Sequence, residues 1–449
     1  MPVKRRHPIC LFLLCLICCA PVAHAWNPPA YTPLPTALDG SMMPYDFSVC
    51  NVPTYMPDSL KPVAVTYVAR HGARYLSGPK KTESVMMHLT DARNNGTLSD
   101  TGENFLKLME LIIATNSSNW GDLSQVGVEE QIRLGSRMAQ DIPAIKTPGA
   151  RINAVSSHVP RVVMTMYQFL HRLTRINDLC TARTDEGTQF DPLLCCFIAD
   201  SAYANYRDKG NWRPVYQQFV NSNIPTAPAR RLFTATKLSD KQLRKLTVDM
   251  YEVLKANRAY GLPAPTTQWM SEKGYRACWQ ADNLRHYLRN SITPLSDLAG
   301  KAAAPLLQCM IIDADRTLQG YTSGEPYNTI NAYFGHCETL LPLLSLIGIP
   351  RLPAEYLPKS SSDEKIPSKP LCTAKPAYTA KDFSSLHDYW KIQDLSPLGA
   401  NIVIIFAQAP SGTFYVTMQL NGRTVNPLCG YTDILPWSAL RDHWLSLLP

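Results

Sequence analysis

The sequence predicts an α/β fold, with a central sheet flanked by helices and a mainly α-helical insertion. Three observations carry this. A strand–turn–helix pattern occurs twice, over residues 63–93 and 329–347. Strand signals fade between about residues 165 and 300, where helical periodicity takes over. Near the C-terminus three extended segments follow one another, and Asn421-Gly422 between the last two suits a type I′ turn.

Composition narrows the class. The chain has 449 residues, enough for two or three domains and a sizeable core. Its 45% hydrophobic and 18% charged content excludes a wholly disordered or collagen-like chain. With 36 Pro against 22 Gly, loops around compact elements are favoured over a low-complexity tract. The formal net charge of +8 is scattered, and Lys4, Arg5 and Arg6 account for part of it. That excess is too weak for nucleic-acid binding but suits a small anionic ligand.

Taken in order, the chain opens with a secretory signal. Lys4, Arg5 and Arg6 precede the apolar run Cys10–Cys19, and Ala23-His24-Ala25 forms a small-x-small site before Trp26. Cleavage is expected after Ala25, with secretion to the exterior or a periplasm. No later run reaches about 18 apolar residues, so no membrane insertion is expected after cleavage. Pro62–Ala69 is β-branched and apolar, as a buried strand should be. Helix patterns follow over residues 83–93, 101–115 and 128–140, the second opened by a capping-box pair, Asp100 and Glu103. Arg151–Ser156 reads as a strand, and Arg161–Ile176 as a helix with Val162, Phe169 and Leu173 on one face. Leu238–Ala259 and Trp269–Leu298 are helical in period, with a break expected at Pro294. Pro305–Ile312 and Thr329–Phe334 look extended. Glu338–Ile347 is an apolar helix, Pro358–Pro376 a Pro/Ser/Lys-rich loop, and residues 401–407, 413–420 and 423–425 a meander. The mature chain thus divides into a core of residues 26–160 and 303–449 around an insertion of residues 161–302.

Nine cysteines remain after cleavage: Cys50, Cys180, Cys195, Cys196, Cys278, Cys309, Cys337, Cys372 and Cys429. An oxidising compartment would permit up to four disulfides. Cys195-Cys196 reads as a buried pair on a helix. No C-x-x-C pair occurs and histidines are dispersed, which argues against zinc. Asn95-Gly96-Thr97 and Asn116-Ser117-Ser118 are sequons.

Chemistry concentrates where the first strand ends, at Arg70-His71-Gly72-Ala73-Arg74. Two guanidiniums flank an imidazole within five residues, and the glycine lets the backbone approach closely. Arginine matches phosphate oxygens with a planar fork of donors. A neutral ring nitrogen can attack phosphorus, and neighbouring arginines disfavour the imidazolium. A second histidine, His336, also stands where a strand gives way to a helix. Ligands of α/β sheets gather at such carboxyl ends, so a common site is expected.

These residues resemble the histidine acid phosphatases, whose nucleophile motif reads R-H-G-x-R-x-P; Leu76 stands here in place of the proline. Gly335-His336-Cys337-Glu338-Thr339-Leu340-Leu341-Pro342-Leu343-Leu344 is similar to the H-A-E-T-L-L-P-L-L stretch of the multiple inositol polyphosphate phosphatases, the phytase branch. Cys337 replaces an alanine there and leaves the His-to-Glu spacing intact. Ser156-Ser157 with Arg161, Thr165 and Phe169, the segment Leu123–Gly127 with Gln131, and Ser396–Asn401 extend the resemblance over residues 45–445. The resemblance implies the histidine phosphatase fold, a central mixed sheet flanked by helices. It implies that His71 is the nucleophile and forms a phosphohistidine. Arg70, Arg74, Arg161 and His336 would then hold the phosphate oxygens. Glu338 would protonate the leaving oxygen and then activate water, which predicts a mildly acidic optimum. No metal and no cofactor are implied. Lys80 and Lys81 are candidates for contact with further phosphates of the substrate. The substrate class expected is inositol polyphosphates such as phytate. Simpler phosphomonoesters are the alternative, and a non-catalytic phosphate-ester binding protein is a third reading.

Overall fold

The first strand decides the architecture. Within β1 (Lys61–Arg70), Ala64 and Val68 face one way and Val65, Tyr67 and Ala69 the other, and all are buried. A strand apolar on both faces must be covered on both, and only a sandwiched sheet satisfies that. A computed structural model describes residues 31–48, 56–356, 378–428 and 432–449. The signal peptide, the Pro358–Pro376 loop and Cys50, Cys372 and Cys429 lie outside the described residues.

The remaining strands are β2 (Arg151–Ser156), β3 (Thr181–Glu186), β4 (Ile330–Gly335), β5 (Asn401–Gln408), β6 (Phe414–Leu420), β7 (Arg423–Val425) and β8 (Ile434–Pro436). Their order is β3-β2-β4-β1-β5-β6-β7, with β8 also on β6. β1, β2, β3 and β4 pair in parallel, and β5 runs antiparallel to β1, so the sheet is mixed. In the hairpin from β6 to β7, Asn421 (φ 51°) and Gly422 (φ 77°) both take positive φ, as a type I′ turn requires.

One face of the sheet is covered by the helices Gln125–Asp141 and Pro160–Ile176, through Leu134, Met138, Val162, Met166 and Phe169. The ring of Phe169 stacks on Tyr67 at 4.7 Å, and both meet Phe334 edge-on. Each such pair adds about 0.5–1.5 kcal/mol beyond burial. This trio stiffens the β1–β4 pair just below the point where both strands end. The opposite face carries Leu298–Ser323 and Cys337–Leu346. Since Arg70 and Gly335 are register partners, β1 and β4 deliver the next residues, His71 and His336, side by side.

Four expectations are corrected. Pro305–Ile312 is not extended but belongs to the helix Leu298–Ser323; Leu306, Leu307, Met310, Ile311, Ala314 and Leu318 are buried at helical spacing, and that packing outweighs the missing N–H of Pro305. Thr181–Glu186, inside the stretch read as helical, is a strand at the sheet edge beside β2; its largely exposed, polar residues give no apolar alternation to read. The helix expected from Thr101 starts at Asp100 and is capped by Ser99, whose Oγ accepts from the Gly102 N–H, while Glu103 reaches Arg93 instead of the cap. The expected break near Pro294 comes earlier, where the helix Glu272–Asn290 ends.

The six described cysteines, Cys180, Cys195, Cys196, Cys278, Cys309 and Cys337, are free, so the disulfides expected among them are not formed. Asn116 of the second sequon is buried, with its side chain bonded to Leu76 N–H and the Ile112 carbonyl, and cannot carry a glycan in the folded chain. No helix of the described residues is long and apolar enough to cross a membrane.

Candidate active site

Every backbone polar group from His71 to Ala73 is held. His71 N–H donates to Gly335 O (3.0 Å), and its carbonyl accepts from Gly399 N–H (2.9 Å). Gly72 N–H donates to Thr165 Oγ1 (3.1 Å) and Ala73 N–H to Glu130 Oε2 (2.7 Å). Ser124 N–H closes the set on the Ala73 carbonyl (2.9 Å). The loop also lies flush on the first turn of the helix Gln125–Asp141, where a Cβ on Gly127 would collide with the Ala73 carbonyl oxygen.

This backbone fixes the His71 ring. Its Nδ1 lies 2.9 Å from the Gly72 carbonyl oxygen. A carbonyl only accepts, so Nδ1 carries the hydrogen and Nε2 keeps a free lone pair. Burial, then the charges of Arg161, Arg70 and Arg74, hold the His71 pKa well below the ordinary imidazole value. These surroundings favour the neutral ring. His336 stands edge-on to it, with centroids 5.7 Å apart, and shares a 2.9 Å hydrogen bond between Nε2 and Ser157 Oγ. Its pKa is likewise lowered, to about 3, first by burial.

A cavity of about 750 Å³ opens over His71, lined by Arg70, Arg74, Arg161 and Glu338, with Lys80 and Lys81 at its edge. Of the candidate catalytic and phosphate-binding residues, His336 is the one that does not line the cavity. Arg70 is buried and aimed by two carbonyls, those of Ser41 (2.7 Å) and Ser396 (2.6 Å), which accept from Nη1. The Nε atoms of Arg70, Arg74 and Arg161 are buried with no hydrogen-bond partner, and none of the three forms an ion pair among the described residues. Burial and mutual repulsion push the Arg74 pKa down to about 9. Such a cluster is relieved by an anion. Lys81 is tied to Asp249 at 2.5 Å, while Lys80 is exposed. No group of three or more His, Cys, Asp or Glu among the described residues is placed to hold a metal ion.

Glu338, in the first turn of Cys337–Leu346, pairs with Arg207 Nη2 at 3.1 Å. Burial raises its pKa, but Arg207 and the neighbouring histidines outweigh that and hold it well below the ordinary carboxylate value. In the chain alone this environment favours the carboxylate form of Glu338.

Sequence reading missed Arg207 and a charged wall on Glu272–Asn290. Arg285, His286 and Arg289 of that helix line the cavity beside Glu252 and Lys255. Their helical spacing was visible in the sequence. Which space they face was not, because that depends on how the helices pack.

Three guanidiniums lining one cavity with an imidazole whose Nε2 keeps its lone pair suit a phosphate group, which offers several oxygens to the arginines and an electrophilic centre to the ring. That is the chemistry of a histidine acid phosphatase. The chain belongs to the histidine phosphatase superfamily (branch 2), whose profile matches residues 63–421. Among solved structures it is similar to the Bifidobacterium longum multiple inositol polyphosphate phosphatase in complex with inositol hexasulfate, with a TM-score of 0.70, 15% identity, and coverage of 91% of this chain and 97% of that one. The phytase from D. castellii matches with a TM-score of 0.66, 15% identity, and coverage of 92% and 85%. At these identities the likeness is one of fold. No curated protein matches the sequence.

Proposed function

We propose that the mature chain, from Trp26 onward, is a secreted phosphomonoesterase that hydrolyses inositol polyphosphates such as phytate. The observation that carries the reading is the cluster of Arg70, Arg74 and Arg161, buried or half-buried and forming no ion pair among the described residues, around His71, whose pKa burial and these arginines hold well below the ordinary imidazole value. His71 Nε2 attacks phosphorus as the ester P–O bond breaks, giving phosphohistidine and an inositol alkoxide that takes a proton from Glu338. Glu338, now a carboxylate, removes a proton from water. The water oxygen attacks phosphorus, the P–N bond breaks, and inorganic phosphate leaves. Arg70, Arg74 and Arg161, with His336 behind them, offset the charge of the transferring group. A substrate phosphate entering beside Glu338 competes for Arg207 and raises the carboxyl's pKa, so Glu338 is protonated in the complex. Two supports favour a polyphosphate substrate: the cavity extends well past His71 to Lys80 and Arg289, and the B. longum phosphatase of the same fold was crystallised with inositol hexasulfate.

The test is phosphate release from phytate at about pH 5, with chelator present, by the wild-type chain and by His71→Ala. His71-dependent release supports the reading. His71-dependent release from simple monoesters alone would favour the generic phosphatase. No release from either by folded protein would leave a binding protein.

A further inference from the structure

We propose that Glu130 is a positioning residue for the nucleophile, an inference that rests on the phosphatase reading. Glu130 lies on the helix Gln125–Asp141 and touches neither the cavity nor the phosphate-binding arginines by hydrogen bond. It is 4% exposed, and its two oxygens are spent on two backbone N–H groups. Oε2 accepts from Ala73 (2.7 Å) and Oε1 from Tyr45 (2.8 Å). One carboxyl thus ties Ala73, in the loop that carries His71, to Tyr45, 28 residues earlier in the chain.

Its contact falls two residues from His71, on an N–H of the loop that no strand or helix ladder satisfies. His71 N–H and its carbonyl are held by strand ends and Gly72 N–H by Thr165. Without Glu130, Ala73 N–H would be buried and unpaired, and the loop would turn to satisfy it. Gly72 and Gly127 allow that movement no room in one direction, since a Cβ on Gly72 would lie 3.0 Å from the Gly127 carbonyl oxygen. The loop would therefore move the other way, toward the cavity, and carry His71 off line. The arginines would not follow. Arg70 is pinned by Ser41 and Ser396, Arg161 stands on a separate helix, and Arg74 is bridged to Leu123. Loss of Glu130 should thus spoil attack and spare phosphate binding.

Chemistry also explains why a carboxyl is needed. Each carboxyl oxygen can accept an N–H whether or not the group is protonated. Glutamine has the same shape but presents an NH2 where one acceptor is required.

The test compares wild type, Glu130→Gln and Glu130→Ala on p-nitrophenyl phosphate, with inorganic phosphate as a competing ligand. The expected result is a fall in kcat of about 100-fold for E130A and about tenfold for E130Q, on the scale of a small misplacement of reacting atoms. KM and phosphate inhibition should stay within about threefold of wild type. Thermal unfolding identifies a variant that does not fold; should E130A fail, E130Q decides. A folded variant with wild-type kcat, or with KM and phosphate inhibition weakened as much as kcat, would overturn the inference while leaving the phosphatase reading intact. Loss of His71 dependence in wild type would overturn the phosphatase reading instead.

Discussion

The cavity has two cationic walls that differ in how their charge is balanced. On the sheet side, Arg70, Arg74 and Arg161 are buried or nearly so and pair with no carboxylate among the described residues. On the helical side, Lys255 and Arg285 share Glu252 and Asp282 in a buried network, with Lys255–Asp282 at 2.8 Å and Arg285–Asp282 at 2.5 Å. Both walls would look equally basic in a charge count. Buried charge is tolerated when paired, and an unpaired buried cation raises the energy of the empty site until an anion arrives. The sheet wall is therefore built for a ligand, and most of the charge on the helical wall is consumed by the fold. Glu338 stands between the two, its proton affinity controlled by Arg207.

The largest effect should come from the centre of the sheet wall. His71→Ala is expected to lower kcat by roughly 10⁴-fold or more, since it removes the group that forms the covalent intermediate. Rapid quenching should trap an acid-labile phosphoenzyme in wild type and none in the variant. A trapped phosphoenzyme in H71A would break the assignment. Next, Arg161→Gln should cost about 10²–10³ in kcat, the scale for one charge-stabilising donor. Because that change also relieves repulsion on His71, its pKa should rise and the acid limb of the kcat/KM profile should move upward. An unmoved acid limb would show that burial alone keeps the ring neutral.

Arg207→Met tests the boundary between the walls. Glu338 is held low by Arg207, so in the free chain its protonated form is lost as pH rises past that low value. Removing the guanidinium should raise the Glu338 pKa by about one to three units. The basic limb of kcat/KM would then shift to higher pH, measured with a simple monoester. A basic limb that stays in place would mean that Glu338 is not the proton donor.

How much of this was legible in the sequence follows the same division. The sheet wall could be read because its residues are local: Arg70, His71 and Arg74 share five positions, His336 and Glu338 share three, and each group follows a strand with an unmistakable apolar run. β3 and the helix through Pro305 were misread for opposite reasons. The polar edge strand Thr181–Glu186 carries no apolar face to reveal it, and the apolar helix was disguised by one proline. The helical wall was not legible. Arg207 meets Glu338 across 131 positions and Lys255 meets Asp282 across 27, and no local pattern announces either meeting. Glu130 escaped for a similar reason, as its partners Tyr45 and Ala73 are backbone groups with no side-chain signature.

The smallest effect on catalysis, and the sharpest test of the contrast, should come from Asp282→Asn. Asp282 does not line the cavity, yet it is buried against Lys255, Arg285 and His286. Neutralising it leaves two cations with Glu252 as their remaining shared carboxylate. Removing one partner of a buried ion pair costs about 3–5 kcal/mol, because the other charge is left without compensation. Thermal or denaturant unfolding should therefore show a large loss of stability, with kcat below the transition changed far less than in R161Q. Added inorganic phosphate should restore part of that stability, because it can approach the uncovered cations from the cavity that Lys255 and Arg285 line. A variant as stable as wild type but as inactive as R161Q would reverse the division, and the helical wall would then belong to the chemistry and not to the fold.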